Sequence, residues 1–233
     1  MFEEITHADT VGGAITANPE AFDAIMEKFV DLYKKIHSTP IKDLGEFPDE
    51  KDIWLGWAKG MEPYYTSAEN DFLKKMIASI PERPTMVHSD YHENNVLYRE
   101  GEMILIDMAD VGYGHPIFDL AGGAFRAHCS DMPERKASHG LSKENMHRFW
   151  DAVVRLYFSP QSEAQCREIK EMCEAFGFLR SALFPMKHSQ ISAELRNLHI
   201  ADARKNLFPR REWALAQTSK LDEYFSVAVG QKG

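Results

Sequence analysis

The sequence is poor in cysteine and has no long apolar run. Cys129, Cys166 and Cys173 form an odd set without C-x-x-C spacing, which argues against a disulfide framework or a zinc site. The start, Met1 to Glu4, lacks the basic segment and apolar run of a signal peptide. No apolar stretch approaches the roughly 20 residues that a bilayer-spanning helix needs. We therefore expect a cytoplasmic protein with no membrane partner.

Basic residues are also in deficit. The chain has 27 Lys and Arg against 36 Asp and Glu, a formal charge of −9, so we expect no nucleic-acid partner. An acidic face could attract a cationic substrate, but such charge also serves solubility. The 233-residue length suits one large domain or two small ones.

Most of the chain has the apolar spacing of amphipathic helices. Asn18 and Pro19 mark one helix start, and Thr66 with Glu69 forms a capping box for another. The spacing predicts helices at about 19–37, 52–62, 67–80, 119–128, 142–158, 163–184, 190–207 and 211–228.

Short β-rich runs replace the helical pattern between residues 85 and 107. They lie at 85–87, 96–98 and 103–106, and the turn between the last two contains a glycine. The predicted fold class is therefore α+β, mostly α, with a small β-hairpin between helical regions.

The predicted hairpin places two oxygen ligands at its open end. If 96–98 pairs antiparallel with 103–106, Tyr98 lies opposite Met103, and Asn95 and Asp107 meet where the strands part, because facing strands are about 4.8 Å apart. An amide oxygen and a carboxylate form a hard site suited to Mg²⁺, whose remaining ligands are water and substrate phosphates.

Asp90 lies on the loop that leads into this hairpin. A carboxylate there can orient a hydroxyl nucleophile and accept its proton, which is the modest task that phosphoryl transfer leaves to the protein. Any one of these polar residues alone could be a turn residue. Their joint spacing favours a shared site.

The stretch 88–107 resembles the aminoglycoside phosphotransferase/choline kinase family, whose members are distant relatives of the protein kinases. It reads H-x-D-x-x-x-x-N, followed by a hydrophobic strand that ends in Asp. Residues 112–116 and 119–121 are similar to the family's Gly-x-Gly-Asp-Pro and Asp-Leu-Ala segments. The resemblance is detailed over 85–123 and looser elsewhere. It implies the C-terminal lobe of a protein-kinase-like fold.

The resemblance also implies a role for the residues around the hairpin. Asp90 would be the catalytic base. Asn95 and Asp107 would hold magnesium and the phosphates of ATP or GTP. Leu97 and Ile106 would lie under the nucleotide.

Two further residues would support the site, by the same resemblance. His88 would brace the loop, and Asp119 would hydrogen-bond it from below, a role compatible with capping the helix that follows. His115 stands where the family usually has Asp. We interpret this departure as a local loop difference with little effect on the reaction.

A complete member of this family also has an N-terminal lobe with a β-sheet, a phosphate-covering loop and a lysine paired to a helix glutamate. No β-rich stretch before residue 85 carries such a lysine. Residues 1–5 resemble the hinge strand between the lobes, and 10–15 resemble the linker helix behind it. The chain therefore begins where the second lobe would begin.

We accordingly expect a hinge and linker remnant at 1–17 and a C-terminal lobe at 18–233. Within this lobe, 85–123 would hold the catalytic loop and metal hairpin, and 140–228 the helical acceptor region. The chain could be a truncated reading frame, a deliberately isolated lobe or a natural single-lobe protein, and the abrupt start favours truncation. A single lobe predicts weak ATP binding, negligible turnover alone and self-association through the exposed lobe face.

The leading function is transfer of the γ-phosphate of ATP to a hydroxyl of a small molecule, such as an aminoglycoside or a choline-like compound. One alternative is a non-catalytic single-lobe binding module. A less favoured one is a metal-dependent hydrolase, with His88, Asp90, His92 and Asp107 as ligands.

The sequence does not identify the acceptor. Four acidic residues of the predicted helix 163–184 could line a pocket for a cation, although their spacing better suits an exposed helix face. They are Glu163, Glu168, Glu171 and Glu174.

Overall fold

The structure is a computed structural model that describes residues 8–132, 141–188 and 190–228. The helices are α1 Val11–Ala17, α2 Phe22–His37, α3 Glu50–Gly60, α4 Ser67–Ala78, α5 Ile117–Cys129, α6 Lys143–Phe158, α7 Glu163–Lys187, α8 Ala193–Asn206, α9 Arg211–Thr218 and α10 Leu221–Ala228. The strands are β1 Asp9–Thr10, β2 Met86–Val87, β3 Val96–Arg99, β4 Glu102–Leu105 and β5 Gly112–Tyr113. The predicted mostly helical α+β class is confirmed. The predicted hinge strand at 1–5 lies outside the described residues.

The predicted hairpin forms with the predicted register. In β3 and β4, Val96 pairs with Leu105 and Tyr98 with Met103. The ladder continues one bond further, because the Ile106 N–H donates to the Asn95 carbonyl at 3.0 Å. A third strand, β1, adds to the other edge of β3. The sequence did not predict β1, since two residues are too few to show the alternation of a strand.

A second small sheet joins the segment before the hairpin to the segment after it. Met86 of β2 pairs with Tyr113 of β5, and Val87 pairs with Gly112. A side chain at Gly112 would not fit, because its Cβ would lie 2.6 Å from the Pro48 carbonyl oxygen. This sheet fixes both ends of the region 88–111 that carries the predicted site residues.

The core is helical and centres on α7. This helix crosses α5 so closely that a Cβ at Gly177 would lie 3.0 Å from the Ala124 Cβ. Aromatic side chains fill the space between the surrounding helices, and the largest fully buried ones are Trp54, Tyr157, Phe29, Phe118, Phe176 and Phe225. The rigid contact of α5 with α7 positions one wall of the site described below.

Two helix predictions need correction. The predicted helix 211–228 is two helices, α9 and α10. The hydroxyls of Thr218 and Ser219 donate to the carbonyls of Leu215 and Ala216 at 2.8 Å, and such side-chain bonds compete with continuation of a helix. In contrast, α7 runs past Pro185 to Lys187 instead of ending at 184, because a proline near a helix end removes a single backbone hydrogen bond.

No helix within the described residues combines the length and the apolar character that a bilayer crossing requires.

Candidate functional site

Asn95 and Asp107 lie at the open end of the hairpin. Asn95 directly precedes β3, and Asp107 follows the end of β4 by two residues. The Asn95 side-chain nitrogen donates to the Asp90 carbonyl at 3.0 Å, which keeps the amide oxygen available for a cation. Asp107 is exposed, and its backbone adopts the left-handed conformation, with φ 58° and ψ 56°. This conformation, which Asp and Asn tolerate better than most residues, ends the ladder and turns the chain into the short 3₁₀ turn Met108–Asp110.

The loop of residues 88–95, named here the Asp90 loop, contains a second left-handed residue. Ser89 has φ 67°, a conformation that costs a residue with a side chain about 1 kcal/mol. The turn directs the N–H groups of His88 and Ser89 to one carboxylate, Asp119, at 2.8 and 2.6 Å. Asp119 therefore holds the strained turn through both backbone donors.

Asp119 belongs to a buried set of polar side chains. The His37 imidazole Nε2–H donates to the Asp119 Oδ2 at 3.0 Å, and its Nδ1 lies 2.8 Å from the Tyr157 hydroxyl. Burial alone would raise the pKa of Asp119, but the His37 hydrogen bond and charge, together with the His88 N–H, outweigh it and lower that pKa. Asp119 is thus an ionised acceptor beneath the loop.

Glu50 of α3 completes this set from a third side. Its Oε2 accepts from the Ser89 hydroxyl at 2.7 Å and its Oε1 from the Trp54 indole N–H at 2.9 Å. Burial raises the pKa of Glu50, against the opposing effects of the Ser89 bond and the Arg180 charge. We name His37, Glu50 and Asp119 the buried brace. None is more than 2% exposed.

His88 connects the Asp90 loop to the hairpin. Its Nε2 lies 3.0 Å from the Ile106 carbonyl oxygen, and the residue is fully buried. No three His, Cys, Asp or Glu side chains of the described ranges are grouped so as to hold a metal ion. The histidine-rich ligand set considered for a hydrolase therefore has no geometric support in these ranges.

The Asp90 carboxylate faces two cations and an imidazole. Its Oδ1 lies 3.1 Å from the Lys187 Nζ and 3.6 Å from the Arg180 Nη2, and its Oδ2 lies 3.7 Å from the His92 Nε2. Burial would raise the pKa of Asp90, but His92 and the charges of Lys187 and Arg180 together hold it well below its usual range. Asp90 is consequently ionised throughout the neutral range.

Arg180 and Lys187 reach the loop from the same helix face. They are two turns apart on α7, and both donate to the Ser89 carbonyl, at 3.0 and 3.1 Å. Lys187 also lies 3.5 Å from Asp110. The extension of α7 beyond Pro185 is what brings Lys187 to Asp90.

Asp90 also lines a cleft of about 230 Å³, named here the helical cleft. Its lining residues come from the Asp90 loop, α5 and the end of α7: Ser89, Asp90, Tyr91, His92, Asp119, Gly122, Phe125, Arg126, Cys129, Arg180, Phe184 and His188. Asn95 and Asp107 do not line it. Asp90 therefore lies between the hairpin mouth and the helical cleft.

The donor set at the hairpin mouth fits a magnesium ion. An amide oxygen and an exposed carboxylate are hard ligands, and the exposure of Asp107 leaves room for water and phosphate oxygens. Asn95 is held in position at the mouth because its side-chain nitrogen donates a hydrogen bond to the Asp90 carbonyl.

Comparison with known families identifies the family of the chain. A model of the phosphotransferase enzyme family matches residues 7–138, more than half of the chain. The chain belongs to the phosphotransferase enzyme family. The matched residues include the Asp90 loop, the hairpin and the whole of α5. A search of curated proteins gives no match.

Two solved structures share the fold of this phosphotransferase-family chain. The gentamicin complex of APH(2")-IIa is 16% identical with a TM-score of 0.53, and the alignment covers 92% of this chain and 70% of that chain. A choline/ethanolamine kinase family protein from Mesorhizobium loti is 14% identical with a TM-score of 0.55, covering 93% and 71%. At these identities the likeness establishes the fold, and it confirms the predicted kinase-like architecture.

The structure also gives the surroundings of the remaining predicted residues. Leu97 and Ile106 are half-buried on β3 and just after β4. His115, the departure from the family pattern, is fully buried, and its Nδ1 accepts the Ile117 N–H at 3.1 Å. His115 thus satisfies an N–H in the first turn of α5, the helix that carries Asp119.

Several residues of the site were not found from the sequence. His37 falls four residues after Tyr33 on the apolar stripe of α2, and a polar residue on such a stripe signals a buried hydrogen-bonded group. Arg180 likewise follows the buried Phe176 by one turn. Glu50 and Lys187 carry no local signal, because their contacts depend on how separate helices pack.

Proposed function

We propose that this phosphotransferase-family chain acts in transfer of the γ-phosphate of ATP or GTP to a hydroxyl group of a small molecule. The observation that carries the proposal is the position of Asp90. Its backbone carbonyl is bonded to Asn95 of the hairpin mouth, and its carboxylate lines the helical cleft. A donor phosphate at the mouth and an acceptor hydroxyl in the cleft would therefore meet at this residue.

Asp90 would orient the acceptor hydroxyl and take its proton. Its lowered pKa makes it ionised but weakly basic. Such a group suits phosphoryl transfer, in which proton removal before bond formation contributes little and positioning contributes most. Lys187 and Arg180 fix the carboxylate and the preceding carbonyl, so the hydroxyl meets an acceptor held on two sides.

Asn95 and Asp107 would hold magnesium at the hairpin mouth, with Leu97 and Ile106 beneath the nucleotide. When bound, magnesium would neutralise phosphate charge during transfer. The sheets of the described residues have three and two strands, and in this proposal Leu97 and Ile106 would form one wall for the adenine. We therefore expect Mg·ATP to bind more weakly than micromolar and turnover by this chain to be slow.

The metal site is tested by replacing magnesium with Mn²⁺ and adding ADP. Paramagnetic broadening of NMR signals should centre on Asn95 and the residues after β4, and Asp107→Asn should abolish it. The matched control is Asp110→Asn, because Asp110 is an exposed carboxylate three residues away. Equal loss of the broadening in Asp107→Asn and Asp110→Asn would overturn the assignment of the metal site. Broadening centred on other residues would overturn it as well.

The reaction is tested in a single-turnover assay with excess enzyme, labelled ATP and hydroxylated acceptors that include an aminoglycoside, choline and ethanolamine. Asp90→Asn should slow transfer by about 100-fold or more. Calorimetry on the same chain should show no micromolar affinity for Mg·ATP. Acceptor binding without transfer, unchanged by Asp90→Asn, would favour the non-catalytic binding module instead.

Two expectations about the cellular state of the chain belong to the same proposal. We infer a cytoplasmic location, where the nucleotide donor is found, and self-association through the face that bears the hairpin. Cell fractionation checks the first. Light scattering at several protein concentrations checks the second.

A further inference from the structure

Two arginines, Arg126 and Arg180, and two carboxylates line the helical cleft. Its two carboxylates are Asp90 and Asp119. Asp119 is only 2% exposed and already accepts from His37, His88 and Ser89. Asp90 is the one carboxylate of the described lining that can meet a ligand, and Lys187 and Arg180 both face it.

Arg180 is the buried cation of this wall. It is 4% exposed, and its nearest polar contacts are the Ser89 carbonyl at 3.0 Å and Asp90 at 3.6 Å. Its Nη1 has no hydrogen-bond partner among the described residues. Its nearest carboxylate, Asp90, is also paired with Lys187, so the buried guanidinium is incompletely compensated. An anionic ligand would add the missing charge-assisted bonds.

The α5 wall gives this guanidinium a free side. A Cβ at Gly122 would lie 3.8 Å from the Arg180 Nε, so the glycine leaves space beside the charge. Arg126, one turn further along α5, is paired with the buried Glu93 and keeps an unpartnered Nε. Arg126 therefore adds a donor to the cleft but little net charge.

His188 lies beside these charges at the end of α7. Burial is the main cause that lowers its pKa, and the charges of Lys187 and Arg180 lower it further against the opposing effects of Asp90 and Asp110.

The four acidic residues of α7 that the sequence offered for a cationic pocket lie elsewhere. Glu163 pairs with Arg155 at 2.8 Å, Glu168 accepts from the Tyr224 hydroxyl, and Glu174 lies 3.9 Å from Arg210. Glu171 and Glu174 line a separate surface groove with Arg167 and Lys170. These glutamates lie outside the helical cleft.

The cleft also has an apolar part. The rings of Phe125 and Phe184 lie 5.2 Å apart, and both line it. An occupant can therefore carry an apolar group as well as a charged one.

We propose that the helical cleft binds an anionic acceptor: a small hydroxylated compound with a carboxylate or phosphate group and an apolar portion. The anion contacts Arg180, the apolar portion lies against Phe125 and Phe184, and the hydroxyl lies at Asp90. The inference rests on the proposed function, and it excludes polycationic acceptors from efficient use.

A ligand series on the unmodified chain tests the charge preference without any variant. Phenyllactate carries a hydroxyl, a ring and a carboxylate. Phenylpropanediol is a neutral counterpart, and phenylalaninol a cationic one. Binding is measured by titration followed by NMR of the α5 and α7 amides. Phenyllactate should bind about tenfold more tightly than the diol, because one charge-assisted bond supplies a difference of this size, and phenylalaninol should bind most weakly.

Glycerol phosphate and glycerol form a second pair of an anionic and a neutral ligand. Preference for either anion sustains the proposal and identifies the group recognised, whereas equal or tighter binding of phenylalaninol overturns it.

Substitutions then locate the charge. Arg180→Met should remove the preference for phenyllactate over the diol, and Arg180→Lys should keep part of it. Arg167→Met is the control, since Arg167 is exposed on the same helix outside the cleft. Lys187→Met replaces Arg180→Met if the latter does not fold. If every variant keeps the full preference for phenyllactate over the diol, the assignment of the anion contact to Arg180 is overturned.

The two proposals fail separately. Anion preference is measured on α5 and α7, and the Mn²⁺ signal on the hairpin. A cleft that prefers phenylalaninol, with Asp107-dependent Mn²⁺ broadening intact, overturns the acceptor class alone. Broadening that does not depend on Asp107 overturns the proposed function.

Discussion

The buried brace beneath the Asp90 loop and the mouth of the hairpin hold their polar side chains in different ways. Each member of the brace has at least two side-chain hydrogen bonds and is at most 2% exposed. At the mouth, Asp107 is exposed, and Asn95 is fixed by one bond to the Asp90 carbonyl. The two regions are connected through the single loop that carries Asp90.

The difference shows which parts of the site the protein fixes by itself. The brace determines the path of the Asp90 loop whether or not a ligand is present, because its charges and hydrogen bonds are satisfied internally. The mouth keeps oxygen atoms in contact with solvent, where an exposed carboxylate costs little and can exchange water for a ligand. Substitutions in the brace should therefore affect stability, and substitutions at the mouth should affect binding.

The largest expected effect is that of Asp119→Asn. The amide nitrogen of Asn would face at least one of the donors now satisfied by Asp119, and His37 would lose its ionised partner. We expect the free energy of unfolding in urea to fall by about 3–5 kcal/mol, the range for loss of one partner from a buried hydrogen-bonded charge. Asp131→Asn is the control, because Asp131 is a surface carboxylate paired with Lys143, and it should change stability by about 0.5 kcal/mol or less. Similar losses in both variants would remove the distinction between the two regions.

A smaller, pH-dependent effect is expected at His115, at the start of the helix that carries Asp119. Burial, with the nearby charge of Arg83, holds the pKa of His115 well below its ordinary value of 6.5. The unfolded chain thus binds a proton that the folded chain does not. Stability is complete above the unfolded pKa and falls as the pH drops below it.

His115→Asn should reduce the loss of stability at low pH, because the Asn oxygen can still accept the Ile117 N–H and does not titrate. The measurement is the melting temperature between about pH 7.5 and about pH 5.5. His147→Asn, at a surface-exposed histidine, should leave the fall in place. An unchanged slope in His115→Asn would show that another group causes it.

The smallest stability effect is expected for Asp107→Asn at the mouth. Asn also tolerates the left-handed backbone, and the side chain is exposed, so the free energy of unfolding should change by about 0.5 kcal/mol or less. The same variant should lose the Mn²⁺ signal. A loss of stability comparable to that of Asp119→Asn would mean that the mouth is also part of the structural frame.

The hairpin and its register were predictable because the information is local. Val96, Met103 and Leu105 have the period-two spacing of strand residues and pack with the core. Glu100 and Gly101 adopt the left-handed conformations that the turn needs. Asn95 and Asp107 follow from that register by geometry alone. Most helices were predictable from spacing for the same reason.

The brace and the basic wall of the cleft were not predictable in this way. Glu50 is one of several acids at the start of α3, and only the packing of α3 against the Asp90 loop distinguishes it. Lys187 follows a proline that predicts a helix end, yet α7 continues. The contacts of these residues join distant segments, and no spacing within one segment encodes them.

The left-handed turn at Ser89 also has a kinetic consequence. Its three supports come from positions 30, 39 and 91 residues away in the sequence, at Asp119, Glu50 and Arg180. The strands of the hairpin are joined by two residues, so they can pair before those distant segments meet. We expect that during refolding the Ile106 amide becomes protected from hydrogen exchange before the amides of His88 and Ser89. Simultaneous protection in a pulse-labelling experiment would show instead that the loop and the hairpin form in one step.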